Sequence, residues 1–127
     1  MATTKEKIPY EEFSQNLDMF IGSMQYFPIA FTPLVFTEGV NYFAKTCECY
    51  WLIDHLGYNL YKLHRKVGAL FIDLRVTKKH RVHIEVREDC SKPILYKDKI
   101  HDVCELIPIG SYKIWLINDT LLLPNEY

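Results

Sequence analysis

Three groupings in this 127-residue chain hold side chains that could do chemistry: Cys47-Glu48-Cys49, His101 with Cys104, and the adjacent pair Asp54-His55. Zinc pairs usually need two to four residues between ligands so that both reach one ion. Cys47 and Cys49 have a single residue between them, and on a helix such positions point apart. His101 and Cys104, three apart, suit a shared ion better. Taken together, the spacings favour buried free thiols over a metal centre, and no metal or cofactor is expected. Asp54-His55 suggests acid–base work. Neighbours on a helix diverge by about 100°, however, and cannot easily act on one atom. Asp54 is expected instead to satisfy a nearby donor, because a carboxylate within an aromatic segment is costly unless paired. The chain holds no nucleophile elbow, Gly-rich phosphate loop, Walker sequence or dinucleotide fingerprint. No constellation meets the requirements of a catalytic site, so no enzyme activity is expected.

Cations are the better surface candidates. Lys62, His64, Arg65 and Lys66 end one helical stretch; Lys78, Lys79, His80 and Arg81 lie between two strand-like runs. Each group alone has an ordinary explanation. Cations suit the negative end of a helix, and lysines at a hairpin tip keep it soluble. Together, Lys62, Arg65, Lys66, Lys78, Lys79 and Arg81 form a basic patch that could meet phosphate or an acidic partner. The formal net charge is −1, so no global field draws the chain to nucleic acid or anionic lipid. No apolar run of about 18 residues is present, so no membrane span is expected. The polar N-terminus lacks the apolar core of a signal peptide, which points to the cytoplasm and reduced cysteines.

The elements that must position these groups are read from periodicity. At 49% apolar and 24% charged, the chain has ordinary globular usage. Its length predicts one α+β domain over residues 1–127, with residues 1–8 as a frayed arm. Phe13, Leu17 and Phe20 or Ile21 predict a short helix over residues 10–20. Residues 23–36 are apolar but interrupted by Pro28 and Pro33, which predicts extended segments and turns at a sheet edge. Thr37 is a good N-cap, with Glu38 in the first turn. From there a helical pattern runs over residues 38–65, either continuous or broken near Cys47. Gly57 inside it marks close packing, and Gly68 ends it.

The second half changes period. Leu70, Ile72, Leu74 and Val76 alternate with polar or aromatic residues, as do Val82, Ile84 and Val86. To put both apolar sets on one face, even-numbered residues must pair with even-numbered residues. Ile72, Leu74 and Val76 then oppose Val86, Ile84 and Val82, and Arg75 opposes His83 on the wet face. That register requires an odd-length loop near residues 78–80, or a bulge. Further strands are expected over residues 94–96, 112–116 and 121–123, with a turn at Asn118-Asp119. The predicted architecture is an antiparallel sheet of about four to five strands with helices packed on one face.

Three stretches resemble a domain-of-unknown-function family of small bacterial and mobile-element proteins. They are Thr37, Gly39, Val40 and Tyr42; then Tyr50, Trp51, Leu52 and Asp54; then Leu121, Leu122, Leu123, Pro124, Asn125, Glu126 and Tyr127. Asn125 stands where that family's pattern has Ser. The resemblance implies a compact α+β domain and structural roles for Thr37, Gly39, Tyr50, Trp51, Asp54, Glu126 and Tyr127. It implies no activity. At 14% aromatic residues, including nine Tyr, the chain suits strands, where Tyr is common, and any exposed rings would favour a binding surface. The expectation is therefore a non-enzymatic binding protein of phage or mobile-element type. It would act by protein–protein interaction, for instance by inhibiting a host defence complex. The alternative is a nucleic-acid-binding accessory protein using the basic patch. A homodimer through a free C-terminal strand is a further expectation.

Overall fold

The computed structural model describes residues 8–22, 25–78, 81–89, 91–100 and 106–127. Helix α1 (Tyr10–Asp18) buries Phe13 and Leu17. Strands β1 (Tyr26–Pro28) and β2 (Val35–Thr37) pair antiparallel. Helices α2 (Glu38–Thr46) and α3 (Tyr50–Val67) follow, and then β3 (Leu70–Val76), β4 (Val82–Arg87) and β5 (Tyr96–Ile100). Strands β6 (Gly110–Ile117) and β7 (Thr120–Leu122) and a 3-10 turn over Pro124–Glu126 complete the fold. Of the expected arm over residues 1–8, residues 1–7 lie outside the described residues, while Ile8 packs half-buried against the core.

The architecture is α+β, but the sheet is not the antiparallel one of four to five strands predicted above. It has seven strands in the order β1-β2-β7-β6-β3-β4-β5, and β2 pairs with β7 in parallel. The excess comes from the proline-broken segment, whose strands β1 and β2 are three residues each and too short to show a period. Pro28 lies on the edge strand, where a missing N–H is tolerated. Strand β5 begins at Tyr96 rather than at residue 94, and Ile94 and Leu95 are exposed. Strand β7 is interior, so the C-terminal strand offers no free edge for self-pairing; the edges are β1 and β5. On β5, Lys97 and Lys99 are exposed, a charge pattern that discourages edge-to-edge association.

The β3–β4 register is the one that side-chain parity demands: Ile72 pairs with Val86, Leu74 with Ile84, Val76 with Val82, and Arg75 with His83. The loop joining them contains Lys79 and His80, which lie outside the described residues. Even-numbered residues of β3, β4 and β6 are buried, and the three helices touch that side. Tyr112 receives the rings of Tyr10 and Phe13 from α1 and of Phe43 from α2. From α3, His55 reaches Asp98 on β5. Gly57 lets α3 close on Ile29, since a β-carbon there would stand 2.9 Å from Ile29 Cγ2.

The helical stretch breaks after Thr46 without a glycine. Glu48 adopts φ 50°, its amide donates to Lys45, and the Cys49 amide donates to Ala44 at 2.8 Å. This is a Schellman cap with glutamate in the left-handed position, a conformation that costs an L-residue about 1–2 kcal/mol. His64 is buried where α3 meets the β6–β7 turn. Its Nδ1 lies 2.8 Å from the Gly68 carbonyl oxygen, and its Nε2 accepts the Asp119 amide at 3.1 Å. The same Nε2 also lies 3.1 Å from Asp119 Oδ1. His64 is therefore a joint between elements rather than part of a cationic surface.

The C-terminus locks onto the start of α2. Thr37 caps that helix by accepting from the Val40 amide at 3.3 Å. The same hydroxyl donates to Glu126 Oε1 at 2.6 Å. The Gly39 amide donates to Glu126 Oε2 at 3.1 Å, and the Leu123 amide to Oε1 at 2.9 Å. A carboxylate here satisfies an otherwise orphaned helix N–H and meets the positive end of the helix. Gly39 is needed for the approach: a β-carbon there would stand 2.6 Å from Glu126 Oε1 and 2.7 Å from Leu123 Cδ1.

Two outcomes follow for stability, both read as urea denaturation midpoints. Glu126→Ala is expected to cost about 2–4 kcal/mol, because it strands donors that were bonded to a charge. A loss under about 0.5 kcal/mol would contradict the clasp. Glu48→Gly is expected to stabilise by up to about 1 kcal/mol by relieving the left-handed glutamate; destabilisation would contradict the capping assignment.

Candidate functional site

The predicted basic patch is not one surface. Lys62, Arg65 and Lys66 are exposed on the last turns of α3, which lead into the start of β3. Lys78 is exposed and Arg81 half-buried beyond the far end of β3, and Lys79 lies outside the described residues. The seven residues of β3 separate the two groups by about 20 Å along the strand. Asp54, expected to satisfy a donor within the aromatic segment, stands exposed on α3. The residues diverge as helix geometry requires: His55 turns the other way, and its Nε2 lies 2.8 Å from Asp98 Oδ2. The Tyr96 hydroxyl donates to the same oxygen at 3.1 Å. Partial burial opposes ionisation of Asp98, but donors from the Lys99 backbone, His55 and Tyr96 outweigh it and hold the carboxyl below its ordinary range. Burial, and then donation to Asp98, push Tyr96 up to about 12.

Cys47 and Cys49 are buried and not disulfide-bonded, while His101 and Cys104 lie outside the described residues. Among the described residues, no group of three or more His, Cys, Asp or Glu side chains could hold a metal ion. The residues given structural roles above are placed as follows. Thr37, Gly39 and Glu126 form the clasp, and Trp51 packs half-buried against the core. The Tyr50 hydroxyl donates to Asn41 Oδ1 at 2.7 Å, joining α3 to α2. Tyr127 is 77% exposed, with its ring 5.9 Å from that of Trp115.

That last contact leads to the side of the sheet opposite the helices. Odd-numbered residues of β3, β4, β5 and β6, joined by Leu122 of β7, align there across strands in three rows. One row is Ser111, Arg75, His83 and Lys99; the next is Lys113, Asp73, Glu85 and Lys97. The third is Leu122, Trp115, Phe71 and Arg87. The Thr77 amide donates to the Arg81 carbonyl, which extends the pairing and gives Arg81 the parity of His83. A shallow depression of about 300 Å³ lies among Arg75, His83, Ser111, Lys113 and the two carboxylates. Trp115 lies between two rings, 5.1 Å from Phe71 and 5.9 Å from Tyr127, both edge-on.

The charge on this face is one-sided. Arg75, Arg81, Arg87, Lys97, Lys99 and Lys113 stand against Asp73 and Glu85, a net of +4 on a chain of formal charge −1. The two carboxylates are already engaged, since Arg87 reaches Asp73 at 3.2 Å and Glu85 at 3.5 Å. Partial burial, and then Arg75, Lys99 and Arg81, hold His83 below its ordinary 6.5, with Glu85 opposing. What the arrangement can do is attract anions and hold flat or apolar groups at one end. Parity alone was enough to find Arg75, His83 and Phe71. The contributions of β5, β6 and Tyr127 required the strand order.

The His83 environment yields a pH outcome. Below 6.5 the unfolded chain takes the proton first, so this group alone makes stability fall as pH drops from 6.5 toward its lowered value. Titration of the His83 ring by NMR is expected to give a midpoint below 6.5 that moves up in Arg75→Gln. A midpoint unmoved by that change would contradict the cationic row.

No curated relative and no solved structure matches the chain. The family of unknown function DUF6876 matches residues 11–127, which include the clasp, both aromatic segments and all seven strands. The chain belongs to that family.

Proposed function

We propose that this chain is a non-enzymatic binding protein whose working surface is the uncovered face of its sheet, and that its partner presents a complementary anionic surface. The observation that carries this reading is the net +4 charge on that face, bordered by Phe71, Trp115 and Tyr127. Cations over a broad face raise the encounter rate with an acidic partner, and Trp, Tyr and Arg are the residues that most often carry binding energy. The covered side of the sheet is filled by the core and offers no comparable surface.

A protein of phage or mobile-element type that blocks a host defence complex is a narrower form of the same reading. A blocker that imitates nucleic acid would present carboxylates. This face presents cations, so such a role would require an acidic target surface. The buried thiols Cys47 and Cys49 suit a reducing compartment such as the cytoplasm. Among the described residues, no helix is long and apolar enough to cross a membrane.

The reading is tested with immobilised protein and three variants: Arg75→Glu with Lys99→Glu, Tyr127→Ala, and Lys62→Glu with Arg65→Glu. A partner captured by the wild type is expected to be lost from the first two and kept by the third. Loss confined to the α3 variant would contradict the assignment to the sheet face.

A further inference from the structure

Resting on the reading above, we infer that the anionic partner is single-stranded nucleic acid, laid over the uncovered sheet face from the Arg75 row to the Trp115 row. The first reason is charge. Among the described residues, no ion pair ties Arg75, Arg81, Lys97, Lys99 or Lys113 to a carboxylate, whereas Asp73 and Glu85 are both held by Arg87. Free cations on a broad surface are the footprint of phosphate binding, which releases counterions. The second is the aromatic border. Every base has a π-face, so an exposed ring such as Tyr127, backed by the half-buried Trp115 and Phe71, holds a base without regard to sequence.

The third reason is shape. Four residues along β3 separate Arg75 from Phe71, or about 13 Å. Three strand spacings separate β6 from β5, or about 14 Å. The platform is thus broad enough to hold a charged backbone at one border and unstacked bases at the other. Duplex DNA is most often read by a helix or two-stranded ribbon that enters the major groove, whereas this platform is a broad sheet face. An open sheet face with aromatic and basic side chains meets splayed bases instead.

The test uses fluorescence anisotropy with a labelled oligothymidylate of about 12 nucleotides, a length within single-module site sizes, and with a duplex of equal length. Salt is varied from about 50 to 200 mM. Circular dichroism checks that each variant is folded. Arg75→Glu with Lys99→Glu is expected to weaken binding at least tenfold, and Arg75→Gln with Lys99→Gln to lower the salt slope by about two. Tyr127→Ala is expected to weaken binding about tenfold with the salt slope unchanged. Lys62→Glu with Arg65→Glu is expected to stay within about twofold, the α3 cations lying off the face.

Three results would each overturn the inference: no binding of the single strand at the lowest salt, tighter binding of the duplex, or folded face variants that bind as the wild type does. If the oligonucleotide is ignored while the same face captures an acidic protein, the nucleic-acid inference falls and the binding-face reading stands. If neither is bound, both fall.

Discussion

The carboxylate of Glu126 is the constraint on which the rest of the arrangement depends. It joins the last residues of the chain to the turn between β2 and α2 through the Thr37 hydroxyl and the amides of Gly39 and Leu123. Strand β7 is brought in between β2 and β6 in the same region, and among the described residues the pairing of β2 with β7 is the one parallel pair in the sheet. A parallel pair of so few residues has little ladder energy of its own, so the hydrogen bonds beside it matter. The clasp also orients α2, whose Phe43 meets Tyr112 and the α1 ring Phe13. One charged group thereby fixes the end of the chain, the start of a helix and the middle of the sheet.

The division of faces follows. With α1, α2 and α3 all resting on the even-numbered side, the other side of the central strands stays open to water. Its residues are then free to be polar, and here they are polar in an ordered way. Cations dominate one end, carboxylates bridged by Arg87 occupy the middle, and aromatic rings line the other end. The overall charge conceals this, because a net of −1 is the sum of a positive face and a negative remainder. The position of Tyr127 connects the two themes: it follows Glu126, so the clasp that closes the fold also delivers an aromatic ring to the open face.

Much of this was readable from residues in order. Parity in two amphipathic runs sufficed for the β3–β4 register and for the opposition of Arg75 and His83. Thr37 was recognisable as a cap, and Gly57 as a site of close approach. What stayed hidden has physical causes. The helix break carries Glu48 where a glycine would have announced it. Strands β1 and β2 are too short to display a period. Strand β5 reads Tyr-Lys-Asp-Lys-Ile, with charges in place of an apolar face, because it is an edge. Both His64 and His55 looked like surface chemistry, yet each is bonded to an element far along the chain, through Asp119 and Asp98. Grouping the cations of residues 62–66 with those of 78–81 failed because β3 lies between them. The cations that do assemble come from four different strands.

The most direct test of the account is to map binding residue by residue, by following backbone amide and side-chain NMR signals while a short single-stranded oligonucleotide is added. The account predicts shifts concentrated on odd-numbered residues of β3, β4, β5 and β6, on the His83 ring and on Tyr127, with the exposed end of α3 unchanged. Shifts centred on Lys62, Arg65 and Lys66, with the sheet face silent, would contradict it.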